Sequence, residues 1–214
     1  KNRSSAYSHT LYDSIRGVGI DKALASNTNG TEGSLSDGTT FGYVSSLNSD
    51  GFTVIKGSDA TSYTNGNNQN YVAWCWKAGG TAVSNTDGSI TSSVSANAEY
   101  GFSVVTWTGT ATAGTIGHGL NGKVPKFIIT KRRDSSGDWY SQHASLGATH
   151  RIQLNSTSAA TSGTSLWNST SPTGSVFSVG ADNEVNASSG TFVAYCFADV
   201  PGHQRIGTYN GTSS

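Results

Sequence analysis

The residue types that could do chemistry here are histidine, cysteine, serine and carboxylate, and their spacing argues against catalysis at each point. The five histidines, His9, His118, His143, His150 and His203, are scattered, with no two at zinc-finger or His-x-x-x-His spacing. His118 stands between two glycines, which suits a turn residue bonded to backbone. Nucleophilic catalysis needs Ser or Cys held beside a base, yet no Gly-x-Ser-x-Gly elbow occurs. Cys75 and Cys196 lie in the middle of strand-like runs, where a thiolate is poorly exposed. They read as small buried thiols, one in each core, in preference to a bridge between them. The 13 acidic residues fall mostly in turns, so no carboxylate pair stands out for glycoside hydrolysis. Asp182-Asn183-Glu184 with Asn186 offers oxygens of the kind Ca²⁺ takes, but the spacing matches no calcium loop. No catalytic residue, metal ligand or cofactor is assigned, Ca²⁺ being the one ion those oxygens would suit.

Binding chemistry has more material. Trp139, Tyr140 and His143 stand together, and Trp167 follows in a polar loop with no clear partner earlier in the chain. An aromatic face with Asn or Asp beside it is the usual equipment for sugar recognition, so these four are the candidate binding residues. Lys126 with Lys131-Arg132-Arg133 is the only basic cluster, and Asp134 follows it; it reads as a solvated strand end. The net charge is zero and 12% of residues are charged, which argues against an electrostatic nucleic-acid or anionic-membrane partner. No apolar run is long enough to span a bilayer and no signal peptide is visible.

The elements that position these residues repeat. Tyr71-Val72-Ala73-Trp74-Cys75-Trp76 is matched by Phe192-Val193-Ala194-Tyr195-Cys196-Phe197 at an offset of 121 (196 − 75). Six aromatic and β-branched residues entered through polar loops predict a strand, and two apolar faces predict one covered on both sides. Upstream, Lys1, Arg3, Gly17, Leu24 and Ser26 align with Lys131, Arg133, Gly147, Leu154 and Ser156 at an offset of 130 (131 − 1). Gly51–Val54 aligns with Val176–Val179 at 125 (176 − 51). Shrinking offsets are short loop deletions. Thr208-Tyr209-Asn210-Gly211-Thr212 echoes Thr106-Trp107-Thr108-Gly109-Thr110, opening a further unit. The chain therefore divides into a first repeat at 1–80, a connecting hairpin at 81–100, a second repeat at 101–202 and the start of another at 203–214. No Met occurs and the chain opens mid-repeat, which predicts a piece of something longer.

Further strands are expected at Phe41–Val44, Gly51–Ile55, Phe102–Thr108 and Val124–Thr130, the last with Pro125 near its start. Two short strands flank a turn within 1–27, Ser36-Asp37-Gly38 marks a turn, and Ser62–Asn70 is a polar loop. Nothing shows sustained 3.6-residue periodicity, so little helix is predicted. The class is all-β: tandem β-sandwich modules, jelly-roll or concanavalin-like, with an internal repeat.

Gly117-His118-Gly119-Leu120, Pro125-Lys126-Phe127-Ile128-Ile129 with Lys131-Arg132-Arg133, Trp139 with His143, and Phe192–Phe197 together resemble an uncharacterised repeat domain of marine tailed-phage structural proteins. Lys1–Ser5, Arg16-Gly17, Ser26-Asn27-Thr28, Asp50–Thr53 and Tyr71–Lys77 resemble a sister version of that unit. The resemblance covers nearly the whole chain and departs where His9 replaces Trp139. It implies a jelly-roll or concanavalin-like sandwich in a tail fibre, spike or head decoration at the virion surface, outside any cell, and brings no catalytic residues.

Two readings of different class follow. A structural module would pair with other copies of itself, as a homo-oligomer such as a trimer, and with other virion proteins. A binding module would contact host-surface glycan through loops such as 28–40 or 157–175. A polysaccharide depolymerase is the third reading. Neither nucleic acid nor membrane is an expected partner.

Overall fold

The computed structural model describes residues 1–34, 38–59 and 63–212, and the chain in it is all-β. The first third holds β1 (Thr10–Leu11), β2 (Leu24–Ala25), the four-residue helix α1 (Gly38–Phe41), and the hairpin of β3 (Tyr43–Leu47) and β4 (Phe52–Ile55). Strands then follow closely: β5 (Val83–Asn85), β6 (Ser92–Asn97), β7 (Phe102–Thr108), β8 (Gly114–Gly117), β9 (Phe127–Arg132), β10 (Tyr140–His143), β11 (His150–Gln153) and β12 (Thr161–Ser162). Next come α2 (Thr164–Trp167), β13 (Val176–Val179), α3 (Asn183–Asn186) and β14 (Thr191–Phe197). The expected turn at Ser36-Asp37 and the start of the polar loop at Ser62 lie outside the described residues.

An antiparallel sheet of eight strands, ordered β12-β11-β10-β9-β14-β7-β6-β5, is the frame. β14 sits inside it, laddered to β7 on one edge and β9 on the other. Alternation sends Phe192, Ala194 and Cys196 to one face and Val193, Tyr195 and Phe197 to the other. The first face packs Val105, Trp107, Ile128 and Tyr140 against the β8–β13 pair, Leu166 and Trp167 of α2, and Val185 of α3. The second packs Phe102, Val104, Trp139, Val193 and Tyr195 against Leu24, with Leu11, Ile15 and Ala78 at its margin. Both faces of β14 are therefore dry, as its sequence predicts. A fully buried side chain of this size contributes about 1.5–3 kcal/mol.

The matching segment earlier in the chain behaves differently. Tyr71–Trp76 is not a strand among the described residues. Its one rung is the bridge Asn2↔Tyr71, framed by Arg3 N donating to Asn70 O at 2.7 Å and Val72 N to Lys1 O at 3.0 Å. That rung has a counterpart at the aligned positions, Arg132↔Phe192, with Arg133 N donating to Thr191 O at 2.8 Å. Beyond the Asn2↔Tyr71 bridge, Ala73–Trp76 makes no backbone hydrogen bond to a described residue. A strand exists through its ladder, and a single bridge does not make one. Cys75 is accordingly exposed, against the expectation that both thiols are buried, while Cys196 is buried as expected.

Two smaller differences follow the same logic. Residues 81–100 do form a hairpin, β5–β6, but it ladders onto β7 and is part of the sheet, not a connector between units. Phe41, expected to open a strand, ends α1; Gly42 follows at φ 78° and β3 begins at Tyr43. α2 ends likewise, with Trp167 followed by Asn168 at φ 50°. A left-handed residue there is the usual helix stop.

Candidate functional site

Three of the four candidate binding residues are interior. Trp139 is fully buried beneath the N-terminal segment, its indole N–H donating to Ala25 O at 2.8 Å and its ring stacked 6.4 Å from Tyr195. Tyr140, one residue on, faces the opposite core, with the Arg151 guanidinium 4.6 Å from its ring centre. Trp167 is fully buried in that same core, and its indole nitrogen has no hydrogen-bond partner. His143 ends β10; its Nδ1 accepts from Ser145 N at 3.1 Å and its ring lies 6.0 Å from Phe127. The four stand on different faces of the sheet and form no platform. Polar neighbours suggested exposure, but Trp139 is buried just before β10 and Trp167 is buried at the end of α2.

The candidate Ca²⁺ oxygens are already engaged. Asp182 caps α3 through Glu184 N and accepts from Ser165 Oγ. Glu184 accepts from Asp138 N, and burial raises its pKa. Asn186 is fully buried; it donates to Thr112 O and Gly180 O and accepts from Thr110 N. No group of three metal-ligating side chains occurs among the described residues. His118 is buried between Thr173 O at 3.1 Å and Leu120 N at 3.2 Å. Accepting from Leu120 at Nδ1 makes its Nε2 the donor. Burial lowers its pKa.

The N-terminal segment is fixed to the sheet by a buried ionic network. Arg16, its side chain fully buried, binds Asp13 through Nε at 2.5 Å and donates to Lys22 O at 2.8 Å and Leu11 O at 3.3 Å. The Tyr195 hydroxyl, rising from β14, donates to Asp13 at 2.8 Å and accepts from Arg16 at 3.3 Å. Glu32 joins Arg16, Lys22 and Arg133. Burial alone would raise Glu32, but the Arg133 hydrogen bond and the three cations hold it below the ordinary carboxyl value. Burial pushes the Tyr195 hydroxyl up and the Cys196 thiol up to about 12, so neither supplies a nucleophile at neutral pH. Lys131 is also fully buried, lowered to about 8 by desolvation against the pull of Glu184 and Asp138. These are clamps.

What the fold does present outward is Ala73–Lys77. Trp74 is 65% exposed and Trp76 54%, and no backbone group of Ala73–Lys77 hydrogen-bonds to a described residue. The segment is pinned at both ends. At one end the Tyr71 hydroxyl accepts from Gly66 N at 2.8 Å and Asn2 Nδ2 at 3.3 Å. At the other, Gly80 O accepts from Ser95 Oγ at 2.7 Å, and Gly79 sits where any Cβ would strike the Ala96 carbonyl. Trp76 leans edge-on against Phe197 at 5.8 Å, and Lys77 lies 6.0 Å over Tyr100. Exposed rings with unpaired backbone amides and carbonyls can stack on a flat partner or accept an added strand. A shallow hydroxyl-lined depression lies elsewhere on the sheet, walled by Ser84, Ser93, Thr106, Thr108, Arg133 and Thr191. No signal in the sequence separated Trp74 and Trp76 from the buried Tyr195 and the half-buried Phe197, their aligned counterparts.

With that geometry in view, the chain is a member of one family: its whole length, residues 1–214, matches the domain of unknown function DUF7483. No curated protein and no solved structure matches it. Among the described residues no helix is long and apolar enough to cross a membrane.

Proposed function

We propose that the chain is a non-enzymatic structural protein of a tailed-phage particle, built of two homologous β-sandwich modules of jelly-roll or concanavalin-like type, in a tail fibre or spike. The observation that carries the reading is the exposed Ala73–Lys77 segment, whose backbone hydrogen-bonds to no described residue, beside a sheet whose buried ionisable groups are tied into clamps. The duplicated-module part is supported by the shared rung at Asn2↔Tyr71 and Arg132↔Phe192 and by α1 and α2, each closed by a left-handed residue. The phage setting rests on the resemblance of Gly117–Leu120, Pro125–Ile129 and Phe192–Phe197 to the repeat domain of such particles. Head decoration is the alternative placement.

Gold-labelled antibody against the chain, imaged on intact particles by electron microscopy, tests the reading. Label on tails or fibres is the expected result, label over the head would move the protein to the capsid, and unlabelled particles would overturn the virion assignment. A glycan-binding role is the second reading, favoured by Trp74, Trp76 and the hydroxyl-lined depression. On a glycan array Trp74→Ser would then lose binding at least 10-fold.

A further inference from the structure

Gln142 carries a buried amide with nothing to hold. It lies in β10 opposite Ile128, and alternation puts it on the face of Tyr140, at the margin of the first core. The residue is 4% exposed, its Nε2 is enclosed, and neither end of the amide hydrogen-bonds to a described residue. Buried polar groups in folded proteins nearly all have partners, so this one calls for a group that completes it.

The amide lines a cavity of about 20 Å³ that opens to the surface. Its floor is Gln142 with the buried Pro125, Ile128 and Ala148, and its exposed rim carries Lys126, Ala144 and Ser171. That volume takes one small group and no more. Among the floor side chains only Gln142 is polar, and it contributes a donor. A group that fits must accept a hydrogen bond at one atom and set carbon against the remaining wall. A water meets the first requirement alone. An acetyl group meets both, because its carbonyl oxygen and methyl leave the same carbon and enter side by side.

We propose that this cavity is a binding niche for the acetyl group of an N-acetylated sugar, its carbonyl accepting from Gln142 Nε2 and its methyl resting against Ile128 and Ala148. The sugar class rests on the glycan-binding reading; the niche itself includes neither Trp74 nor Trp76. The rim suits a sugar. The Lys126 ammonium and Ser171 hydroxyl make no side-chain hydrogen bond to a described residue, which leaves them for ring hydroxyls, and no carboxylate lines the cavity. An acetylated lysine brings the same acetyl end, but on a flexible chain with no hydroxyl for the rim. The niche is also preformed: Lys126 N donates to Phe197 O at 2.7 Å and Ala144 N to Lys126 O at 2.8 Å, which ties the rim to β14.

Saturation-transfer difference NMR on the full chain tests the niche, with N-acetylglucosamine, glucosamine and glucose at millimolar concentration as probes. The expected result is transfer strongest at the acetyl methyl, and at least 10-fold weaker to the two sugars that lack it. Gln142→Leu removes the donor, and Ala144→Trp blocks the mouth from an exposed position while leaving the floor intact. Each is expected to reduce the methyl signal at least 10-fold, with the thermal unfolding of Gln142→Leu no lower than that of the unaltered chain. Equal transfer to glucose, an undiminished signal in either variant, or no transfer to any probe would each overturn the proposal. An acetyl-lysine peptide that takes up saturation in preference to the sugar would overturn the sugar assignment. On a glycan array, binding lost in Trp74→Ser and kept in Gln142→Leu would sink the niche and leave the glycan reading standing. An array with no bound sugar would sink that reading itself.

Discussion

At the scale of single residues, the fold's polar chemistry is spent on holding the N-terminal segment against the sheet. Arg16 and Asp13 are a buried pair, and such a pair is weak evidence of net stability, yet removing one partner leaves the other charged and dry. Arg16→Met is therefore expected to lower the unfolding free energy by about 3–5 kcal/mol in urea titration. Pairing it with Asp13→Asn should recover a large part of that loss. Loss below about 1 kcal/mol for Arg16→Met would mean that Asp13 and Tyr195 are solvated and the clamp is loose. None of this was visible in the sequence: Asp13 and Arg16 read as turn residues, and their partners Tyr195 and Glu32 are distant in sequence. Trp139 and Trp167 were misplaced for a related reason: Trp139 lies just before β10 and Trp167 ends α2, and a buried tryptophan among polar neighbours looks the same in sequence as an exposed one.

Among the elements, β14 was legible because its signal is local: two apolar faces in seven residues fix a strand covered on both sides, and β7 and β9 are similar. The same pattern at Tyr71–Trp76 gave the wrong outcome. A strand's existence depends on its neighbours, which the pattern does not contain. The short helices α1 and α2 left no periodic signal at all, being four residues each. The proposal of two homologous modules makes a prediction at this scale. Gly57 passes so close to the backbone of α1 at Thr40, and Gly180 to that of α2 at Ser165, that a Cβ at either would collide with a carbonyl. Gly57→Ala and Gly180→Ala are expected to destabilise by similar amounts, about 1–3 kcal/mol each by thermal unfolding. A neutral Gly57→Ala beside a costly Gly180→Ala would separate the two units.

For the whole molecule, acid stability follows from the carboxylates. Glu32 sits below its ordinary value of 4.5 in the folded chain, so its contribution is complete above that value and disappears as pH falls through the folded pKa. Glu184, raised by burial, works in the opposite direction and gains on protonation. The expected profile declines first as pH falls below 6.5, where the unfolded chain protonates His118 more readily than the folded one, and again below pH 4.5, where Glu32→Gln removes the part that Glu32 carries, read by thermal unfolding at several pH values. The all-β architecture could be read from the sequence; that Tyr71–Trp76 forms no strand could not, because the partners of a strand are not written in its own residues. The central claim is that Ala73–Lys77 is an association surface. Sedimentation velocity of the unaltered protein across a hundredfold range of concentration tests it most directly. Concentration-dependent growth into species larger than a dimer, reduced at least 10-fold in apparent affinity by Trp74→Ser, is the predicted result. A single monomeric species at the highest concentration would contradict it.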